Sequence, residues 1–102
     1  MIQTIEINIR NGIMDKINAL IIYNKNICYI NKKKYKITNE FLDEFLDTIC
    51  LWKNEYGYDE NIDSEEFTIK VNTKDDKEIF HGKGIFPYNY DYIKELLGDI
   101  DD

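Results

Sequence analysis

Residues 39–50 read NEFLDEFLDTIC, and their apolar side chains recur at four-residue spacing. This spacing places them along one side of a helix that packs on a core. Asn39 is a suitable N-cap, and acidic residues in the first turns favour the positive end of the helix dipole. The sequence predicts a helix from Asn39, with Trp52 and Tyr56 widening its apolar side and Gly57 at the position that ends it. The predicted apolar stripe consists of Phe41, Leu42, Phe45, Leu46, Ile49 and Cys50.

The 38 residues before this helix show the pattern of short β-strands separated by polar turns. Apolar and polar residues alternate from Thr4 to Arg10, which is typical of a half-buried strand, and Asn11-Gly12 then forms a strong hairpin signal. Further short strands are expected within residues 17–23, at 27–30 and at 34–38, with polar turns between them. The N-terminal part is therefore predicted to be an antiparallel meander of four strands.

The residues after the helix return to strands and end in a second helix. An acidic loop spans 58–66, strands are predicted at 67–71 and 78–82, and a helix follows Asn89. The buried stripe of this last helix is predicted to be Ile93, Leu96, Leu97 and Ile100. The predicted architecture is one α+β domain over residues 1–102. It has about six antiparallel strands in the order four strands, helix, two strands, helix, with both helices packed on one face of the sheet.

Composition limits the classes of partner. The chain has 102 residues, 43% of them apolar and 32% charged, with a net charge of −7. A chain of this length and apolar content can bury a single core. The acidic excess favours association with cationic partners and opposes general binding to nucleic acids or anionic membranes.

Two cysteines, Cys28 and Cys50, fall in a predicted strand and on the predicted apolar stripe. A secreted domain that depended on disulfides would contain more cysteine, so both are expected to be buried, reduced thiols. The N-terminal residues show no signal peptide, and the longest apolar run, 19–23, is too short to span a membrane. A cytoplasmic location is therefore expected.

Acidic residues are concentrated between Glu40 and Glu66. This segment contains ten acidic residues and one basic residue, Lys53. Such a run of charge is explained either by solvation of a helix face and loop or by an acidic docking surface for a partner. The second interpretation predicts as partner-binding residues Asp43, Glu44, Asp47, Asp59, Glu60, Asp63, Glu65 and Glu66.

No catalytic or metal-binding constellation is evident. Asp59-x-Asn61-x-Asp63 resembles the start of a calcium loop, but Ser64 replaces the glycine that the loop needs and Lys70 replaces its bidentate glutamate. His81 is the only histidine and Ser64 the only serine, and no spacing supports a triad or a zinc site. The sequence therefore predicts a protein that is not an enzyme and uses no metal or cofactor.

One short basic segment, Lys32-Lys33-Lys34-Tyr35-Lys36, contrasts with the acidic remainder. Lysines often protect the exposed edge of a sheet, and this is the favoured interpretation. The alternative is a nucleic-acid or regulatory binding module that uses the basic meander, although a nucleic-acid-binding domain is usually basic overall. Direct nucleic-acid binding and membrane binding are therefore not expected.

The C-terminal third of the chain contains FTIKV at 67–71, FHGKGIFP at 80–87, and Asn89 followed by the closing helix to Leu97. This pattern resembles one found in small uncharacterised proteins of AT-rich Gram-positive bacteria and their mobile elements. Ile, Lys, Asn and Tyr, whose codons are AT-rich, account for 49 of the 102 residues. In size, acidity and apparent origin the chain is similar to anti-CRISPR proteins and to toxin-immunity proteins, an association by type.

The resulting hypothesis is a small acidic inhibitor that binds a bacterial or defence-system protein. In the preferred version it is anti-CRISPR-like and occludes the basic nucleic-acid-binding surface of a CRISPR effector or another nuclease. The alternatives are an immunity protein that neutralises a cognate toxin and a binding module based on the lysine-rich meander. The sequence leaves the oligomeric state open.

Overall fold

The computed structural model describes residues 1–61 and 64–101, without the side chain of residue 101. In these residues the chain forms one seven-stranded sheet and two helices. The strands are β1 (Ile2–Asn11), β2 (Met14–Ile22), β3 (Ile27–Ile30), β4 (Lys33–Lys36), β5 (Glu55–Tyr58), β6 (Glu65–Thr73) and β7 (Lys77–Lys83). The helices are α1 (Asn39–Ile49) and α2 (Tyr90–Asp101). The predicted α+β class is confirmed, but the strands number seven rather than six.

The sheet has the strand order β4-β3-β2-β1-β6-β7-β5. Neighbouring strands are antiparallel except β5, which runs parallel to β7. The predicted N-terminal meander is confirmed, because β1 to β4 pair in sequence from the centre of the sheet outwards. The lysines of β4 lie on an outermost strand, where charge discourages pairing with other chains.

One face of the sheet carries the core. Ile5, Ile7 and Ile9 of β1 are almost completely buried, as are Phe67 and Ile69 of β6, and all belong to one apolar cluster. The helices contribute to the same cluster through Leu42, Phe45, Ile49, Ile93, Leu96 and Leu97. Both helices therefore cover this face. The residues that alternate with the core side chains line the other face, called here the open face; they include Glu6, Asn8, Asn18, Thr68 and Lys70.

The first helix differs from its prediction at both ends. Thr38 rather than Asn39 is the N-cap, and its Oγ1 accepts a hydrogen bond from the Phe41 backbone N–H at 3.0 Å. The helix ends at Ile49 instead of continuing towards Gly57. Gly57 instead lies within β5, with a backbone φ of +113°.

Trp52 explains why the helix stops early. Its side chain is only 7% exposed, and its indole N–H donates to Asn89 Oδ1 at 2.6 Å. Its ring packs edge-on against Phe67 and Phe80, which belong to β6 and β7. These tertiary contacts draw the chain away from the helix axis, and the residues that follow add β5 to the sheet edge. Trp52 and Tyr56 therefore complete the core rather than widening a helix stripe.

The two cysteines have different environments. Both are free thiols, but Cys28 is buried whereas Cys50 is exposed. Burial raises the pKa of Cys28 to about 11, which keeps the thiol protonated and unreactive at neutral pH. The prediction that Cys50 is buried is wrong, because α1 ends one residue before it and the apolar stripe does not reach it.

The helices are short, with 11 residues in α1 and 12 in α2. Within 1–61 and 64–101, no helix has the length and apolar character needed to cross a membrane.

Candidate functional site

Helices α1 and α2 lie side by side and antiparallel on the core face. Near the C-terminus of α1, the Asn89 side chain donates to the Thr48 carbonyl at 2.9 Å. One turn earlier in α1, the Tyr92 hydroxyl donates to Glu44 at 2.9 Å. These contacts place the start of α2 beside the end of α1, so the outward sides of the two helices form a continuous surface.

The excess negative charge of the sequence falls within the two helices that form this surface. The two helices contain eight acidic residues and one basic residue, Lys94, whereas the rest of the chain contains twelve of each sign. The net charge of −7 is therefore the net charge of the two helices. The exposed carboxylates of this surface, called here the acidic helix layer, are Glu40, Asp43, Glu44, Asp47, Asp91, Glu95 and Asp99.

Carboxylates of both helices act on Tyr92 at the seam between the helices. Its hydroxyl donates a hydrogen bond to Glu44; this bond first, then desolvation, and then the charges of Glu44, Glu95 and Asp99 raise the pKa of Tyr92 above its usual value of 10.0. Carboxylates from both helices thus converge on one side chain. Such convergence costs some stability through like-charge repulsion, which a cationic partner would relieve.

The predicted partner-binding residues lie in three environments: the acidic helix layer, the loop after β5, and internal networks of hydrogen bonds and ion pairs. Asp43, Glu44 and Asp47 lie in the acidic helix layer and are exposed. Glu60 is exposed in the loop after β5, which puts its carboxylate outside the helix layer. Asp63 lies outside the described residues.

Asp59 organises its own loop. Its carboxylate accepts hydrogen bonds from Ser64 Oγ at 2.7 Å and from the Asn61 backbone N–H at 3.0 Å. These two bonds lower the pKa of Asp59 below its usual range, with a smaller contribution from the charge of Lys83. The Asp59 carboxylate thus already has internal partners, although the residue itself is exposed.

Glu65 belongs to an internal network rather than to the outer surface. Its side chain is 15% exposed and contacts Lys16 Nζ at 3.0 Å, Lys94 Nζ at 3.2 Å and the Tyr90 hydroxyl at 2.7 Å. Burial opposes ionisation, but these three hydrogen bonds outweigh it and lower the pKa of Glu65. Glu65 therefore joins β2, β6 and α2, and its charge is neutralised within the fold.

Glu66 is also paired internally, on the open face. His81 lies between two carboxylates, with Nε2 2.7 Å from Glu66 and Nδ1 2.9 Å from Glu55. Burial lowers the pKa of His81, but the hydrogen bonds and charges of the two glutamates outweigh it, so the pKa is raised above 6.5. The hydrogen bond with His81 likewise lowers the pKa of Glu55 below 4.5. This geometry favours a charged histidine that bridges β5, β6 and β7.

The bridge predicts a pH-dependent stability. The pKa of His81 is raised in the folded state, so protonated His81 stabilises the fold. This stabilisation is fully present below the usual pKa of 6.5 and is lost as pH rises through the folded-state pKa. The pKa of Glu55 is lowered in the folded state, so the stabilisation that its ionised carboxylate provides is lost as pH falls below 4.5. His81→Gln should therefore reduce the free energy of unfolding more at about pH 5.5 than at about pH 9. Urea denaturation of both proteins at each pH measures this, and an equal difference at the two pH values would contradict the charged bridge.

Sequence reasoning missed the contribution of the second helix. Asp91, Glu95 and Asp99 lie outside the segment 40–66 in which the acidic run was recognised. Their positions between the buried residues of α2 were a usable signal, because polar residues that alternate with a helical stripe face outwards. What the sequence could not show is that α2 lies beside α1, which combines two separate acidic segments into one surface.

The exposed carboxylates of this surface can attract cationic groups. Among the residues that the structure describes, no group of three His, Cys, Asp or Glu side chains is arranged to hold a metal ion. Both ring nitrogens of His81 are engaged by carboxylates. The acidic helix layer is thus the most distinctive surface, and its exposed carboxylates can attract and orient a cationic partner.

Comparison with known proteins found no matching family model, no similar curated protein and no similar solved structure.

Proposed function

We propose that this protein is an inhibitor that binds a partner protein through the acidic helix layer. The partner carries a basic surface, and the preferred candidate is the nucleic-acid-binding groove of a bacterial nuclease such as a CRISPR effector. The supporting observation is the segregation of charge: the two helices contain the whole net charge of −7, and the rest of the chain is neutral overall. A field concentrated on one surface accelerates association with a surface of opposite sign.

Exposed aromatic and apolar side chains near one end of the layer support a protein partner. Tyr88 is 92% exposed and lies four residues before the partly exposed Tyr92. Leu51 is 84% exposed just after α1 ends, and its neighbour Trp52 is bonded to Asn89, next to Tyr88. Tyrosines are enriched where protein interfaces derive most of their binding energy. Carboxylates would therefore provide attraction and orientation, and these side chains would provide apolar contact.

Charge reversal within the layer tests the proposal. A variant with Asp43→Lys, Asp47→Lys and Glu95→Lys replaces three exposed carboxylates that accept no side-chain hydrogen bond within the described residues. We expect it to stay folded and to lose partner binding by about a hundredfold or more, because like charges now face each other across the interface. The measurement is capture of a nuclease from a Gram-positive host lysate, followed by inhibition of the nucleic-acid binding of the captured protein.

A matched control variant carries Glu60→Lys, Asp75→Lys and Glu78→Lys. These residues are exposed outside the helices, so the net charge changes by the same amount. The control should retain binding, and melting curves of both variants should resemble that of the unmodified protein. If the layer variant still captures and inhibits the same partner, the acidic helix layer serves only solvation. A toxin as the captured partner would favour the immunity protein over the nuclease inhibitor.

The open face supports a second candidate, the nucleic-acid-binding module. The pairing register places Lys34 opposite Tyr29, and Lys32 lines a hollow of this face together with Tyr29. Lysines beside a tyrosine on an exposed sheet face can contact phosphates and stack on a base. Retention of single-stranded DNA by the purified protein, steeply weakened by salt and lost on replacing the two lysines by glutamine, would favour this candidate instead.

A further inference from the structure

A groove opens between α1 and α2 within the acidic helix layer. It encloses about 300 Å³ and has an apolar floor that includes Phe41, Leu96 and Ile100. Carboxylates stand around this floor: Glu40 and Glu44 from α1, and Asp99 from α2. Among the residues that the structure describes, Lys36 is the single cation that lines the groove, so the described charged groups of the groove have a net charge of −2.

The dimensions of the groove limit what can occupy it. A volume of about 300 Å³ lies at the lower end of the range for small-molecule sites, and it is too small for a whole helix of a partner. An apolar floor beneath carboxylates suits a side chain with an apolar stem and a cationic head. Arginine and lysine both have this character, since their stems pack on apolar surface while their heads remain near polar groups.

Three features favour arginine over lysine. The planar guanidinium presents several N–H donors at once and can bond carboxylates on both walls, whereas an ammonium acts as a point charge. Guanidinium is also more weakly hydrated, so its transfer into a partly apolar groove costs less. The ring of Phe41 in the floor offers an aromatic surface for stacking.

We infer that the α1–α2 groove is a receptor for an arginine side chain on the basic surface of the partner protein. This inference rests on the proposed function, because it specifies which part of the acidic helix layer the partner engages. The arginine stem lies on Phe41, Leu96 and Ile100, and its guanidinium bonds Glu44 on one wall and Asp99 on the other. Arginine is among the residues that most often dominate interface energetics, which suits an anchoring role.

The test uses octa-arginine and octa-lysine peptides with the intact protein. The groove variant carries Glu44→Gln and Asp99→Asn, and the matched control carries Asp43→Asn and Asp47→Asn. Each pair removes two charges with little change in shape; Asp43 lines a separate hollow near the N-terminus, away from the groove. The unmodified protein should bind octa-arginine about tenfold more tightly than octa-lysine at physiological salt. The groove variant should lose about tenfold in affinity for octa-arginine and the control less than about threefold.

The other outcomes separate this inference from the proposed function. Equal loss in both variants would show that the whole layer attracts cations without a specific groove, which overturns the arginine site and leaves the acidic helix layer as the docking surface. Equal affinity for the two peptides would likewise overturn the choice of arginine. No measurable binding of either peptide would contradict both proposals. NMR titration gives an independent readout, because signals of Phe41, Leu96 and Ile100 should shift with octa-arginine and remain unchanged if the groove stays empty.

Discussion

Replacement of Phe67 by alanine should lower the free energy of unfolding by about 3–5 kcal/mol. Phe67 is fully buried in the centre of an aromatic cluster, with its ring centroid 5.0 Å from that of Tyr90 and 5.6 Å from that of Trp52. The rings of Tyr56 and Phe86 also pack against it. Alanine removes the apolar contacts and leaves a cavity that these large rings cannot fill. Urea denaturation at neutral pH measures the loss.

Tyr88→Ala is the matched control for this prediction. Tyr88 is an aromatic residue that is 92% exposed, so its loss should change the free energy of unfolding by no more than about 0.5 kcal/mol. A loss below about 1 kcal/mol for Phe67→Ala would mean that the cluster joining β6, α2 and the segment after α1 is not the packed core described here.

Replacement of Glu65 by alanine should lower the free energy of unfolding by about 1.5–3 kcal/mol, the range for hydrogen bonds to a charged group. The change leaves Lys16, Lys94 and the Tyr90 hydroxyl without their shared carboxylate. Because Lys16 is about half exposed and can be resolvated, the loss should fall below that of a fully buried ion pair.

Glu60→Ala controls for the loss of a negative charge from the same region. Glu60 is exposed, and its replacement should leave stability within about 0.5 kcal/mol of the unmodified protein. Thermal and urea unfolding of both variants compare the two positions. If Glu65→Ala were as stable as Glu60→Ala, Glu65 would be free for a partner and the internal network would contribute nothing. The destabilisation expected for Glu65→Ala is the reason why Glu65 is unsuitable for a charge-reversal test of partner binding.

The strands with clear alternation were predictable from sequence. β1 and β6 lie where their period-2 patterns indicated, β3 lies at the predicted residues 27–30 between polar turns, and α2 begins just after Asn89, as predicted. These elements have enough residues of regular pattern for local sequence to determine their type. Their packing into one core follows from the same patterns, since each element has one apolar side.

Contacts between distant residues account for what the sequence could not show. β5 is a four-residue strand, and it forms because its backbone pairs with β7 after Trp52 has turned into the core. A β-bulge in the pairing of β1 with β2 lies next to Lys16, whose ammonium reaches Glu65 on β6. No local sequence pattern indicates the pairing of β5 or the bulge beside Lys16. The sequence therefore predicted neither the end of α1 nor the internal role of Glu65.

The candidate site was only partly predictable for the same reason. Asp43, Glu44 and Asp47 of α1 were identified from helix periodicity and are exposed as expected. The carboxylates of α2 join them only because the two helices lie antiparallel on one face, a relationship that appears with the tertiary fold.

The most direct test of the acidic helix layer is the salt dependence of association with the captured nuclease. The association rate constant is measured by stopped-flow fluorescence from about 0.05 M to 0.5 M salt, a range over which screening between exposed charges becomes nearly complete. For the unmodified protein and for the Glu60, Asp75 and Glu78 control variant, the rate should fall about tenfold or more. For the variant with lysine at positions 43, 47 and 95, the association rate constant should be low at low salt and should not fall as salt rises. Equal rates and equal salt dependence for all three proteins would contradict a docking role for the acidic helix layer.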